Sequence, residues 1–171
     1  MAAMKSSRED KTSKPKNRRS IRLPDDAYRA GELFLLTLCT SNQSPLFSSE
    51  EYAATACDAF KITEQKIGAI IWCGIVMPDH VHMLVSAAPG KSPLDCGACY
   101  KRLVTIAMRK HGYAQAVWQR RIYDRGIRTE WNNDITKVVH YVMDNPVRKE
   151  LVSDWTKWPY TYLNEEIQNT M

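Results

Sequence analysis

Two of the four histidines, His80 and His82, stand one residue apart in His80-Val-His-Met-Leu-Val-Ser86, a stretch that alternates like a β-strand. Positions i and i+2 of a strand share a face, so two imidazoles open into one space. Each ring can offer one nitrogen to a divalent cation while its other nitrogen is oriented by a neighbour. The doublet equally suits two partly exposed strand histidines, and spacing alone leaves both open. Further on, Val138-Val-His-Tyr-Val-Met-Asp-Asn-Pro-Val-Arg-Lys149 puts Tyr141 and Asn145 one helical turn apart, beside the apolar stripe Ile135, Val138, Val139 and Val142. A phenol and an amide placed there could meet the histidines at a helix–sheet boundary. The plainer alternative is a boundary aromatic and a helix-ending Asn before proline.

Between these motifs, Lys101 to Arg128 holds eight basic residues against one acid, Asp124, with Tyr100, Tyr113, Trp118 and Tyr123 interspersed. Phosphate contacts and base stacking need this mixture. The candidates are Lys101, Arg102, Arg109, Trp118, Arg120, Arg121, Tyr123 and Arg125, with Trp118–Arg121 the strongest stretch; a solvated helix face is the other reading of the first of them. Lys137, one turn before Tyr141, could hold a phosphate or simply face water.

The elements that must carry these residues can be read along the chain. Its 171 residues, 44% hydrophobic and 25% charged, describe one soluble domain, and no apolar run approaches the ~20 residues of a membrane span. Residues 1–29 hold nine basic and four acidic residues, which is the whole net charge of +5, whereas 15 of each balance over 30–171. Residues 1–22, rich in Lys, Arg, Ser and Asn, form an expected disordered tail, either solubilising or a nucleic-acid-binding arm. With no apolar stretch suited to export, a cytoplasmic, nucleoid-associated protein is expected. Five cysteines inside apolar segments read as reduced thiols, and Cys96, Cys99, Leu103 and Ile106 as one buried helical stripe.

Glu32–Thr40 reads as a strand, and Ser48 with Glu51 as a capping box opening a helix to about Gln65. Ile67–Met77 is a strand covered on both faces, paired through the Pro78-Asp79 turn with His80–Ser86. Ser92 and Pro93 start a helix that stops at Gly112. Residues 117–128 show no clear period, and Asn132 or Asn133 caps a last helix ending before Pro146. The order β-α-β-β-α, a further segment, then α, fits an α+β antiparallel sheet with helices packed on it, a ferredoxin-like split βαβ plan.

Met77-Pro-Asp-His-Val-His-Met-Leu-Val85, Val117-Trp-Gln-Arg-Arg-Ile-Tyr-Asp124 and Tyr141-Val-Met-Asp-Asn-Pro-Val147, together with Arg22-Leu-Pro, Phe34-Leu-Leu-Thr-Leu-Cys-Thr40 and Trp158-Pro-Tyr, resemble the single-tyrosine HUH transposases, most closely the REP-associated tyrosine transposases. The likeness spans roughly residues 21–163, with a catalytic domain over 23–165 and a C-terminal tail over 166–171. It implies a metal-dependent endonuclease and strand transferase of single-stranded hairpin DNA, acting through a covalent 5′-phosphotyrosine in DNA transposition, as a monomer or homodimer without a membrane partner. On this resemblance His80 and His82 are catalytic and bind Mg²⁺ or Mn²⁺, Asn145 is the third ligand, and Tyr141 is the nucleophile. Tyr123 is the rival nucleophile, read as a DNA-facing or structural residue. The family usually carries Asn where this chain has Asp79. An ordinary tyrosine, with pKa ~10, is only about one part in a thousand phenolate at neutral pH, so such a site must stabilise developing charge. A hairpin-binding regulator without turnover and a phosphodiesterase using water are the competing functions.

Overall fold

The computed structural model describes residues 32–86, 88–127 and 135–169. The basic tail, Arg128 and the expected Asn132 or Asn133 cap lie outside them. Strand β1 (Leu33–Cys39) leads through two short 3-10 turns to helix α1 (Glu50–Ile67). Strands β2 (Ile70–Met77) and β3 (His80–Ser86) form a hairpin, followed by helix α2 (Pro93–Lys110) and the four-residue strand β4 (Tyr123–Gly126). Helices α3 (Ile135–Met143) and α4 (Asn145–Arg148), strand β5 (Thr161–Leu163) and helix α5 (Glu165–Gln168) complete the chain.

The five strands lie in the order β4-β1-β3-β2-β5, and every neighbouring pair is antiparallel. With α1 crossing from β1 to β2 and α2 from β3 to β4, the first four strands follow the expected split βαβ plan. Phe34, Leu36 and Leu38 of β1 and Val81, Met83 and Val85 of β3 face α1 and α2. Leu84 of β3 and Cys73, Ile75 and Met77 of β2 face the other way, against Val138, Val139, Val142 and Met143 of α3. The alternation of β3 thereby puts His80 and His82 on the α3 side, in register with Leu84.

Each side chain buried in these two layers contributes about 1.5–3 kcal/mol when it is as large as Leu or Phe. The tightest spot is Gly74, where a Cβ would lie 2.5 Å from the Phe60 ring. Phe60 in turn stacks on Tyr100 at 4.9 Å, and the buried Tyr100 hydroxyl donates to the Ala56 carbonyl at 2.7 Å. Glu64 ties α1 to the sheet, accepting from Ile71 N at 2.9 Å and from the Tyr162 hydroxyl at 2.7 Å.

Several local expectations are corrected. Ser48 belongs to a 3-10 turn and α1 is preceded by Ser49 without a side-chain cap, so the Ser48/Glu51 capping box does not form. The capping box falls instead on α2, between Ser92 and Asp95. Ile106 is 44% exposed, and the buried stripe of α2 is Cys96, Gly97, Tyr100, Val104 and Met108. The five cysteines are free thiols, with Cys73, Cys96 and Cys57 pushed up by burial. The last helix is interrupted at Asp144, so Asn145 opens α4 rather than closing α3. Ile167 of α5 is buried against the α3 layer.

Candidate active site

The site is assembled on the α3 side of the sheet from three strands and the α3–α4 junction. A cleft of about 220 Å³ is lined by Leu35, Thr37, His82, Tyr123, Asp124, Arg125, Tyr141 and Asn145. His80 stands beside it, its ring centroid 4.7 Å from that of His82 with the planes 78° apart. The two imidazoles therefore share one face, as alternation requires.

Each ring is held by one nitrogen. His80 Nδ1 lies 2.6 Å from Asp79 Oδ1, and His82 Nδ1 lies 2.9 Å from Thr37 Oγ1. Such contacts orient an imidazole and leave Nε2 as the remaining donor atom. Burial, then the charges of His80 and Arg148, push His82 down to a pKa of about 3, against the pull of the Leu36 carbonyl and Asp79. His82 is thus neutral at physiological pH, the form that can bind a cation. Asn145 Nδ2 donates to the Val142 carbonyl at 2.7 Å, which leaves its Oδ1 as the atom able to ligate.

Among the described residues, no three His, Cys, Asp or Glu side chains gather into a metal-holding group. Any third ligand would have to come from another donor type, and the Asn145 amide lines the same cleft as His82. Two imidazole nitrogens and one amide oxygen would suit a divalent cation of intermediate hardness.

Tyr141 is 44% exposed at the cleft. Arg148, which the sequence alone did not single out, lies over its ring at 4.3 Å from the centroid and donates through Nη2 to the Tyr141 carbonyl at 2.9 Å. Its place seven residues after Tyr141, two turns further along the same helical face, is the signal that could have found it.

The other candidate residues separate into groups. Tyr123 and Arg125 line the cleft. Arg120 and Arg121 are exposed immediately before β4. Lys101 turns inward, its ammonium donating to the Gln119 carbonyl at 2.5 Å and to those of Arg120 and Arg121 at 3.4 and 3.5 Å. Trp118 is partly buried, 5.5 Å from Phe47, and its indole N–H donates to the Lys101 carbonyl at 3.1 Å. These two residues build the base of the basic loop rather than its outer surface. Arg102 and Arg109 lie on the exposed face of α2, which covers the opposite side of the sheet from the cleft. Lys137 is exposed on α3 and does not line the cleft. A larger depression of about 550 Å³ at the β5 edge carries Glu64, Glu165 and Glu166 against Lys61, a charge balance that repels phosphodiesters.

A family model described as IS200-like transposase matches residues 34–145, from the first strand to the cleft asparagine. The chain belongs to the IS200-like transposase family. Two solved structures show that this transposase shares its fold with others. A REP-associated tyrosine transposase bound to a REP hairpin superposes with a TM-score of 0.63 at 22% identity, over 78% of each chain. A structure assigned as a transposase from Deinococcus radiodurans R1 gives a TM-score of 0.50 at 17% identity, over 64% of this chain and 88% of that one. No curated protein matches the transposase by sequence. Among its described residues no helix is long and apolar enough to cross a membrane.

Proposed function

We propose that this transposase cuts and rejoins single-stranded DNA beside a hairpin, with Tyr141 as nucleophile and a divalent cation held by His80, His82 and Asn145. The observation that carries it is the convergence of Tyr141, Asn145 and the neutral His82 on one cleft, with His80 beside them. The relative bound to a REP hairpin, alike in fold, supports hairpin DNA as the substrate class. A Mg²⁺ or Mn²⁺ ion bound there would withdraw charge from the scissile phosphate.

The chain's own residues do the rest. The Tyr141 oxygen attacks phosphorus, a tyrosine–phosphate bond forms, and the bond to the 3′ oxygen breaks. The phenol proton leaves the nucleophile and the departing 3′ oxygen gains one, giving a 5′-phosphotyrosine and a free 3′-hydroxyl. Bond energy is kept in the ester, so attack by a 3′-hydroxyl reverses the step and joins a strand. Arg148 holds the Tyr141 ring, while Thr37 and Asp79 hold the two imidazoles.

Covalent capture of labelled hairpin DNA tests the assignment. Tyr141→Phe removes only a hydroxyl, so DNA affinity stays nearly constant and the adduct disappears. Tyr123→Phe still forms the adduct at saturating DNA. Adduct formation by Tyr141→Phe but not by Tyr123→Phe would move the nucleophile to β4. Cleavage by both variants makes water the nucleophile, and binding without cleavage by the wild-type protein makes it a hairpin-binding regulator.

A further inference from the structure

The floor of the cleft extends beyond the groups that strand transfer uses. Tyr123 of β4 lies opposite Thr37 of β1, and Thr37 lies opposite His82 of β3, so the three form a row across the sheet. One step along, Arg125 lies opposite Leu35. Directly opposed residues of antiparallel strands share a face. Leu35, Thr37, Tyr123 and Arg125 are therefore a two-by-two patch that paves the cleft, and His82, Tyr141 and Asn145 bound it.

The chemistry of this patch is specific. Tyr123 is 51% exposed, the most open of the large apolar side chains among the described residues, and it sits on an edge strand paired only with β1. An open phenol ring beside an aliphatic side chain suits a flat ligand, and a guanidinium two residues along the same strand face suits one with acceptors on its edge. Bases in single strands have both properties, and stacking on aromatic side chains tolerates any base. A base inside a duplex has its faces covered and cannot use such a platform.

We propose that Leu35, Thr37, Tyr123 and Arg125 form a subsite for one unpaired nucleobase adjoining the phosphate that is cut, with the base on the Tyr123 ring and Arg125 donating to its edge. The position of the base next to the cut rests on the strand-transfer assignment above; the binding of a base does not. The subsite makes β4 part of substrate selection, and it explains why a short edge strand brings an exposed aromatic and an arginine to the same face. Tyr123 thereby acts as a platform in the same cleft as the reacting tyrosine.

A binding cycle on the full chain tests this. An abasic nucleotide is moved through the single-stranded positions of the hairpin oligonucleotide, with the metal withheld so that no strand is cut, and affinity is measured for wild type, Tyr123→Leu, Tyr123→Trp and Arg125→Gln. Stacking of one base on an aromatic ring corresponds to about 5- to 140-fold in affinity. One position next to the cut should lose that factor in the wild type. Tyr123→Leu should lose a similar factor on intact DNA and less than about twofold more on the abasic strand, whereas Tyr123→Trp restores both. Equal losses for wild type and Tyr123→Leu at every position overturn the subsite, as does intact affinity in Tyr123→Leu. Thermal melts of each variant exclude misfolding, and Arg125→Gln repeats the cycle if Tyr123→Leu melts low. Failure of the wild type to form a tyrosine adduct would remove the strand-transfer assignment while leaving this binding cycle able to decide the subsite.

Discussion

Arg148→Met should slow formation of the tyrosine–DNA adduct without much change in DNA affinity. The guanidinium lies 4.3 Å from the centre of the Tyr141 ring and donates to the Tyr141 carbonyl at 2.9 Å. A cation over an exposed aromatic ring is worth ~0.5–1 kcal/mol, and a hydrogen bond of this kind ~0.5–1.5 kcal/mol net. Together they hold the guanidinium against Tyr141 with about 1–2.5 kcal/mol, which corresponds to about 5- to 60-fold in rate if the freed ring must be ordered before attack. Single-turnover adduct formation on hairpin DNA at saturating metal reads this directly, and filter binding of the uncut strand reads affinity. Arg148→Lys keeps the charge but loses the flat guanidinium fork, so it should fall between wild type and Arg148→Met. An adduct rate for Arg148→Met within twofold of wild type would refute the positioning role. A loss confined to DNA affinity would make Arg148 a phosphate contact instead.

Other predictions follow from named contacts. Gly74→Ala should cost ~1–3 kcal/mol by driving a Cβ into the Phe60 ring; thermal unfolding should show a fall of about 2–4 °C per kcal/mol, partly recovered by Phe60→Leu. Calorimetric titration should show Mn²⁺ binding more tightly than Mg²⁺, because imidazole suits Mn²⁺ better, and His82→Ala or Asn145→Ala should abolish the heat. Thr37→Val removes the group at His82 Nδ1 and should weaken Mn²⁺ binding about 10- to 100-fold while leaving thermal stability nearly unchanged. Deletion of residues 1–22 should reduce the slope of log affinity against log salt by up to ~0.7–0.9 for each phosphate contact the tail makes, and an unchanged slope would assign the tail to solubility.

The parts of the fold that were legible in the sequence are those whose signal is local. The shared face of His80 and His82 follows from strand alternation alone, and the β2–β3 hairpin from two apolar runs around Pro78-Asp79. The start of α2 is written in Ser92, Pro93 and Asp95. What stayed hidden depends on neighbours distant in sequence. Strand β4 is four residues long with an exposed Tyr123 and Arg125, so it carries no apolar alternation; its identity comes from pairing with β1. The inward turn of Lys101 is set by three carbonyls some 20 residues away. The break at Asp144 also has a local sign, Pro146, which marks a stop but does not reveal that the chain resumes as α4. That resumption is what carries Arg148 to Tyr141.

The histidine strand has a consequence for how the two halves of the site open. All seven residues of β3 are paired with β1 on one side and with β2 on the other, so the amides of His80 and His82 belong to the most deeply protected part of the sheet. Asn145 and Arg148 belong to a helix of four residues, and Tyr141 to one of nine. Hydrogen exchange should therefore separate the site in time: β3 amides exchange only when the whole domain unfolds, and α4 amides exchange through local opening that leaves the sheet intact. The histidines form a fixed half against which the tyrosine half can loosen and re-form, an asymmetry that would suit the proposed strand transfer, in which a phosphate stays held while one strand end leaves and another arrives.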